Sequence, residues 1–185
     1  MSTLLKKRPL CDLRTVDICA AAGVSRQTFY RCFDDKYAAA LWFVEEGMRG
    51  SVRQIGVTLG WRTGYRYLFQ FISRNRLFMR QIFKIRDGGP LGGSLVEQTL
   101  LDNCERHFKQ QYTERTGLEP SDLIAFQIRA FSKTSTAILS EWQVTCKPDV
   151  TDSFLDGFVT LVPRELFDAL EIPDDLDNQP LLFGM

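Results

Sequence analysis

Apolar residues in this chain recur at intervals of three and four, and no stretch alternates apolar with polar over a strand's length. The pattern predicts an all-α fold. Its most regular stripe is Ile124, Ile128, Phe131, Ser135, Ile138 and Trp142, with Pro120 as a first-turn proline and Lys147-Pro148 as the stop. A helix from about residue 94 to 115 precedes it, carrying Val96, Leu100, Cys104, Phe108 and Tyr112 and closed by Thr116-Gly117. Further upstream, Trp61, Tyr65, Leu68 and Ile72 form one stripe and Phe78, Ile82 and Ile85 another; the glycine-rich residues 87–93 then break the pattern. A long helix is expected after Lys36, because Leu41, Val44, Met48, Val52 and Ile55 share a face; Gly47 and Gly50 predict a bend in it, and residues 56–60 a connection. Phe154, Phe158, Leu161 and Val162 begin the last helix, which Pro163 must kink or restart before Leu166 and Leu170. Residues 173–180 are acidic and turn-like, ahead of an apolar Leu181-Leu182-Phe183.

The front of the chain reads as two short helices around a tight turn. Thr15 is a good N-cap, and Val16, Cys19 and Ala22 define a helix over about 16–22. Gly23 supplies a left-handed stop, and Val24 gives the turn an apolar plug. Ser25 caps a second helix that buries Phe29 and Phe33 and leaves Arg26, Gln27, Thr28, Tyr30 and Arg31 on its open face. Asp34 or Asp35 caps the next helix, with Lys36 in its first turn. This arrangement is a helix-turn-helix.

The run Ile18, Ala22-Gly23-Val24-Ser25, Thr28-Phe29-Tyr30, Phe33 and Lys36 closely resembles the DNA-binding signature of the TetR family of transcriptional regulators. Its wording around Arg26-Gln27-Thr28-Phe29-Tyr30-Arg31 looks most like the branch of dihydroxyacetone-kinase regulators. The resemblance covers the first quarter of the chain and implies a DNA-binding head over 1–45. Residues 46–172 would form a helical effector-binding and dimerisation body, and 173–185 a tail. Arg26 and Gln27 are the expected base readers, since arginine matches guanine's two acceptors and glutamine pairs with adenine. Thr28 could meet a thymine methyl or a phosphate. Tyr30, Lys36 and the Thr15 hydroxyl are expected backbone clamps, and Ser25 and Arg31 complete the DNA-facing set. Cys32 stands where the family usually has a phosphate-binding histidine, and a thiol serves that role poorly. The family's first helix is several turns long, whereas Leu4 and Leu5 here belong to a stub ended by Pro9. The head is therefore expected to be the least protected region, and the natural reading frame to start further upstream.

Charge sharpens the division. Residues 1–86 hold 16 Lys and Arg against 6 Asp and Glu, while residues 87–185 hold 7 against 17. A basic front and an acidic rear suit a chain that offers one end to a polyanion. No run of about 18 apolar residues is present to span a membrane. Five widely spaced cysteines read as reduced thiols in a cytoplasmic protein, and a single histidine with no Cys-x-x-Cys argues against a zinc site; no metal or other cofactor is expected. No set of catalytic residues is apparent, which argues against an enzyme.

The resemblance further implies a small-molecule effector in the body. Trp42, Tyr65, Phe69, Ile72, Phe78, Met79, Phe83, Cys104 and Phe108 are its candidate wall, with Gln127 and Arg129 as polar anchors. A homodimer is expected through the last two regular helices, its apolar surface drawn from Ile124, Ile128, Phe131, Ile138, Trp142, Phe154, Phe158 and Leu161. Two recognition helices would then meet successive major grooves of double-stranded operator DNA about 34 Å apart. The function implied is a ligand-responsive regulator, in the first instance a repressor. The alternative is a TetR-like protein that has lost DNA reading and acts as a protein-binding coactivator.

Overall fold

The computed structural model describes residues 4, 8–84, 94–145 and 150–178. Their regular elements are helices: α1 (Thr15–Ala22), α2 (Arg26–Cys32), α3 (Lys36–Arg49), α4 (Trp61–Arg74), α5 (Arg76–Ile82), α6 (Leu95–Thr116), α7 (Asp122–Thr145), α8 (Asp152–Val159) and α9 (Arg164–Leu170). Two 3-10 turns, Leu10–Asp12 and Val52–Gln54, complete them, and Ile55 and Leu59 form an isolated bridge. No helix among the described residues is long and apolar enough to cross a membrane. Leu5, Ile85, the break at 87–93, Lys147-Pro148 and residues 181–183 lie outside the described residues.

The helix ends follow local chemistry. Gly23 adopts φ 66°, and α1 closes with Val24 N–H donating to the Cys19 carbonyl and Gly23 N–H to that of Ala20, a Schellman ending. The Ser25 hydroxyl accepts from the Thr28 amide at 3.0 Å and opens α2. Asp35, rather than Asp34, caps α3 by accepting the Tyr37 and Ala38 amides, each at 2.8 Å. Several boundaries differ from the sequence reading: α2 ends at Cys32 with Phe33 in extended backbone, and α8 ends at Val159, before Leu161 and Val162. Thr15 is the first residue of α1 and not its cap; that position falls to Arg14, whose guanidinium donates to Asp17 at 3.2 Å. Helix α3 runs through Gly47 and stops at Gly50, so Val52 and Ile55 are buried in a separate turn. Pro120 stands ahead of α7, whose start is capped by the Ser121 hydroxyl accepting the Ile124 amide at 3.3 Å.

The core is aromatic. Tyr65, Phe69, Phe131 and Phe158 interlock, with Tyr65 and Phe158 centroids 4.5 Å apart and Phe69 and Phe158 5.4 Å apart. Trp61 packs on Phe108 at 4.9 Å, and Trp142 on Phe154 at 4.8 Å. Helices α6 and α7 form the most extensive helix pair. Gly47 lets α3 cross α4, because a Cβ there would fall inside the Phe71 ring. Pro163 restarts the chain as α9.

The start of α4 is completed from far along the chain. Gly60 has no side chain to cap it, and its amide donates to Asp174 at 2.9 Å while the Trp61 amide donates to Glu171 at 3.0 Å. The Thr63 hydroxyl donates to the other Asp174 oxygen at 2.6 Å, and the Asp175 amide to the Thr58 carbonyl at 2.7 Å. Two carboxylates thus sit at the positive end of the α4 dipole. The acidic stretch is a structural clasp at its near end.

Candidate nucleic-acid interface

The head is built from inside out. Phe29 is buried with Ile18 and Cys19, and its ring lies 5.5 Å from that of Phe33. These contacts fix the rotation of α2, so Arg26, Gln27, Tyr30 and Arg31 face solvent. Among the described residues, no hydrogen bond or ion pair engages Arg26, Gln27 or Arg31, which leaves their donors free for an external partner. Tyr30 is steadied edge-on against Phe29 at 5.5 Å and remains exposed. Thr28 is half-buried, and its hydroxyl lies 2.9 Å from that of Ser25, so its polar atom is already engaged.

Lys36 is placed differently from a free phosphate clamp. Its ammonium donates to the Cys11 carbonyl at 2.6 Å and the Leu13 carbonyl at 2.9 Å, and stands 5.2 Å from the Tyr37 ring centroid. An ammonium has three donors, so one remains for a phosphate. Thr15, half-buried, and Cys32, exposed, lie at opposite ends of the two-helix unit. Arg8 and Arg14 both approach Asp17, at 3.8 and 3.2 Å, and their charge shares this end with the carboxylate. The hydrogen bond from Arg14 holds the Asp17 carboxyl below the usual carboxylate range.

Sequence reasoning missed the brace under the head. Leu10 and Leu13 are almost fully buried and join Ile18 and Phe29 in the core, with the partly buried Leu4 beside them. The 3-10 turn holding them is pinned by Lys36, so the short leader is tied at both apolar and polar points. The signal was the apolar pair three residues apart after Pro9, too brief to stand out as a helix.

The expected effector wall divides in two. Tyr65, Phe69, Ile72, Met79, Phe83, Cys104 and Phe108 are buried in the core of the body. Burial pushes the Cys104 thiol up to about 12 and the Tyr65 hydroxyl well above its usual value, which keeps both neutral. Gln127 is half-buried, and Arg129 is on the surface, reaching Glu105 at 3.3 Å. Trp42 and Phe78 instead line an apolar cavity of about 390 Å³ under the head, walled by α1, α2, α3 and α5.

The expected dimer surface also needs correction. Ile124, Ile128, Phe131, Trp142 and Phe158 are buried inside the monomer, and Ile138 and Phe154 are half-buried against its core. That stripe serves the packing of α7 within the body. Of the expected set only Leu161 is open to solvent, while the outward side of α7 presents Leu123, 63% exposed, and Phe126, 69% exposed.

These features define a class: a helix-turn-helix with an unpartnered polar face, mounted on an all-helical body. No family model matches the chain, and no curated protein matches it. Among solved structures, the dihydroxyacetone kinase operon activator DhaS is similar, with a TM-score of 0.59 and 20% identity over 92% of this chain and 93% of that chain. At that identity the likeness shows the fold: an all-helical, TetR-like architecture with a helix-turn-helix and a helical C-terminal domain.

Proposed function

We propose that this chain is a DNA-binding transcriptional regulator whose α2 reads a major groove. The observation that carries the reading is the face of α2, where Arg26, Gln27 and Arg31 project without intramolecular partners among the described residues from a helix locked by Phe29. Arg26 and Gln27 act as base readers, and Tyr30, Arg31 and the third donor of Lys36 act on the backbone. The head takes the residues up to about 45, and the body the remainder to about 172.

The regulator works as a homodimer on a near-palindromic operator. The outward faces of α7 and α8 support this, because Leu123, Phe126 and Leu161 are exposed beside the small residues Ala130, Ala137 and Gly157. Small residues let helices approach closely, and a two-fold axis repeats the same patch on both copies. An effector alters the fit of this dimer to DNA. Repression is the simpler outcome, since a dimer seated on an operator occludes it, although the similar solved structure is named an activator.

Fluorescence anisotropy with the DNA upstream of the protein's own gene, against scrambled DNA of equal length, tests the proposal. Preference for the upstream DNA, with an affinity that falls steeply with salt, is expected. Equal and weak binding to both would refute operator reading. It would favour the second reading, a protein-binding coactivator, to which the inward engagement of Lys36 and the thiol at Cys32 lend support.

A further inference from the structure

We infer that the cavity beneath the recognition helix binds an uncharged, largely aromatic small molecule. Its volume of about 390 Å³ suits a small ligand. Five rings wall it: Phe29 and Phe33 from the head, Trp42 and Phe43 from α3, and Phe78 from α5. Such walls offer edge and offset-stacked contacts to another ring. None of the lining residues is charged, so a carboxylate entering would lose its hydration without gaining a partner, and an ammonium would find ring faces but no carboxylate to pair with. The polar side-chain atoms at hand are the Thr28 hydroxyl, already engaged with Ser25, the exposed Cys32 thiol and the Trp42 indole N–H. Trp42 remains 43% exposed beside this hollow, and covering its indole would remove apolar surface from water.

The position gives the ligand leverage. Phe29 and Cys32 belong to the helix proposed to read DNA, Phe43 and Trp42 to the helix joining head and body, and Phe78 to the body. An occupant touching all three sets the angle of the head. Its affinity then differs between the free and DNA-bound orientations, and by linkage DNA changes ligand affinity by the factor by which ligand changes DNA affinity. The regulatory consequence rests on the DNA reading proposed above, whereas the binding site does not.

The test titrates the whole chain with N-phenyl-1-naphthylamine, an uncharged dye that fluoresces in apolar surroundings, in the absence of DNA. A saturable rise in dye emission with quenching of tryptophan emission is expected. Trp42→Phe should retain dye binding and lose most of the quenching. Ala22→Phe and Cys32→Phe fill the cavity from two exposed positions on its walls, and each should weaken binding at least about tenfold with an unchanged circular dichroism spectrum. Non-saturable binding, or binding indifferent to both filling variants, overturns the site. Addition of a bound DNA duplex should shift dye affinity; equal affinity with and without it overturns the coupling. A protein that binds dye but no DNA refutes the DNA reading and leaves the site standing.

Discussion

His107 makes the stability of this fold sensitive to mild acid. Its Nε2 lies 3.0 Å from the Ile55 carbonyl, joining α6 to the turn after α3. Burial lowers its pKa from the ordinary 6.5 to about 4, with the Ile55 hydrogen bond and Glu114 opposing that shift and Arg53 adding to it. The unfolded chain therefore binds the proton first. The stabilisation is whole above about pH 6.5 and is lost as the pH falls toward 4. Linkage with these two values gives a loss of about 2 kcal/mol between about pH 7.5 and about pH 5. Asp17 and Asp152 are held low by Arg14 and by Arg66 with Arg62, and their contributions fade only at still lower pH. His107→Gln keeps an N–H donor for Ile55 and removes the titration. Urea unfolding followed by circular dichroism at both pH values should show the loss in the wild type and most of it abolished in the variant. An equal pH dependence in the two proteins would refute the assignment to His107.

In DNA binding, Arg26→Ala and Gln27→Ala should each cost roughly 1–3 kcal/mol at particular base pairs, measured by anisotropy on a set of single-substituted operators. Lys36→Ala should weaken binding to all sequences alike and also destabilise the head by about 1–3 kcal/mol, since two carbonyls lose an ammonium donor; a selective loss at one base pair would contradict this. Phe126→Glu should give a folded monomer in sedimentation, whereas Ile138→Glu should lower the unfolding midpoint, because only the first side chain lies on the outer face. Gly47→Ala should destabilise the protein by about 1–3 kcal/mol in urea melts, as its methyl group must displace the Phe71 ring.

The helix-turn-helix was legible from the sequence because each of its parts is decided locally. Gly23 is needed where the backbone turns left-handed, Ser25 supplies an oxygen three residues from the amide it caps, and Phe29 turns inward from the helix that Ser25 opens, although Phe33 falls just past its end and is only half-buried. The absence of strand patterning likewise announced the all-helical class. Periodicity identifies the apolar face of a helix but carries no information about what covers it. The stripe from Ile124 to Trp142 was correctly apolar, yet it packs within the monomer, with Tyr65, Phe69 and Phe108 buried in the same core. Contacts across long separations were equally hidden: Asp174 capping Gly60, Lys36 holding the carbonyls of Cys11 and Leu13, and Phe78 reaching under the head beside Trp42. Residue type and spacing decide an element and its cap through bonds only a few residues long. Which elements meet, and whether the space between them is filled or open, depends on side-chain volumes that come together only in the folded chain.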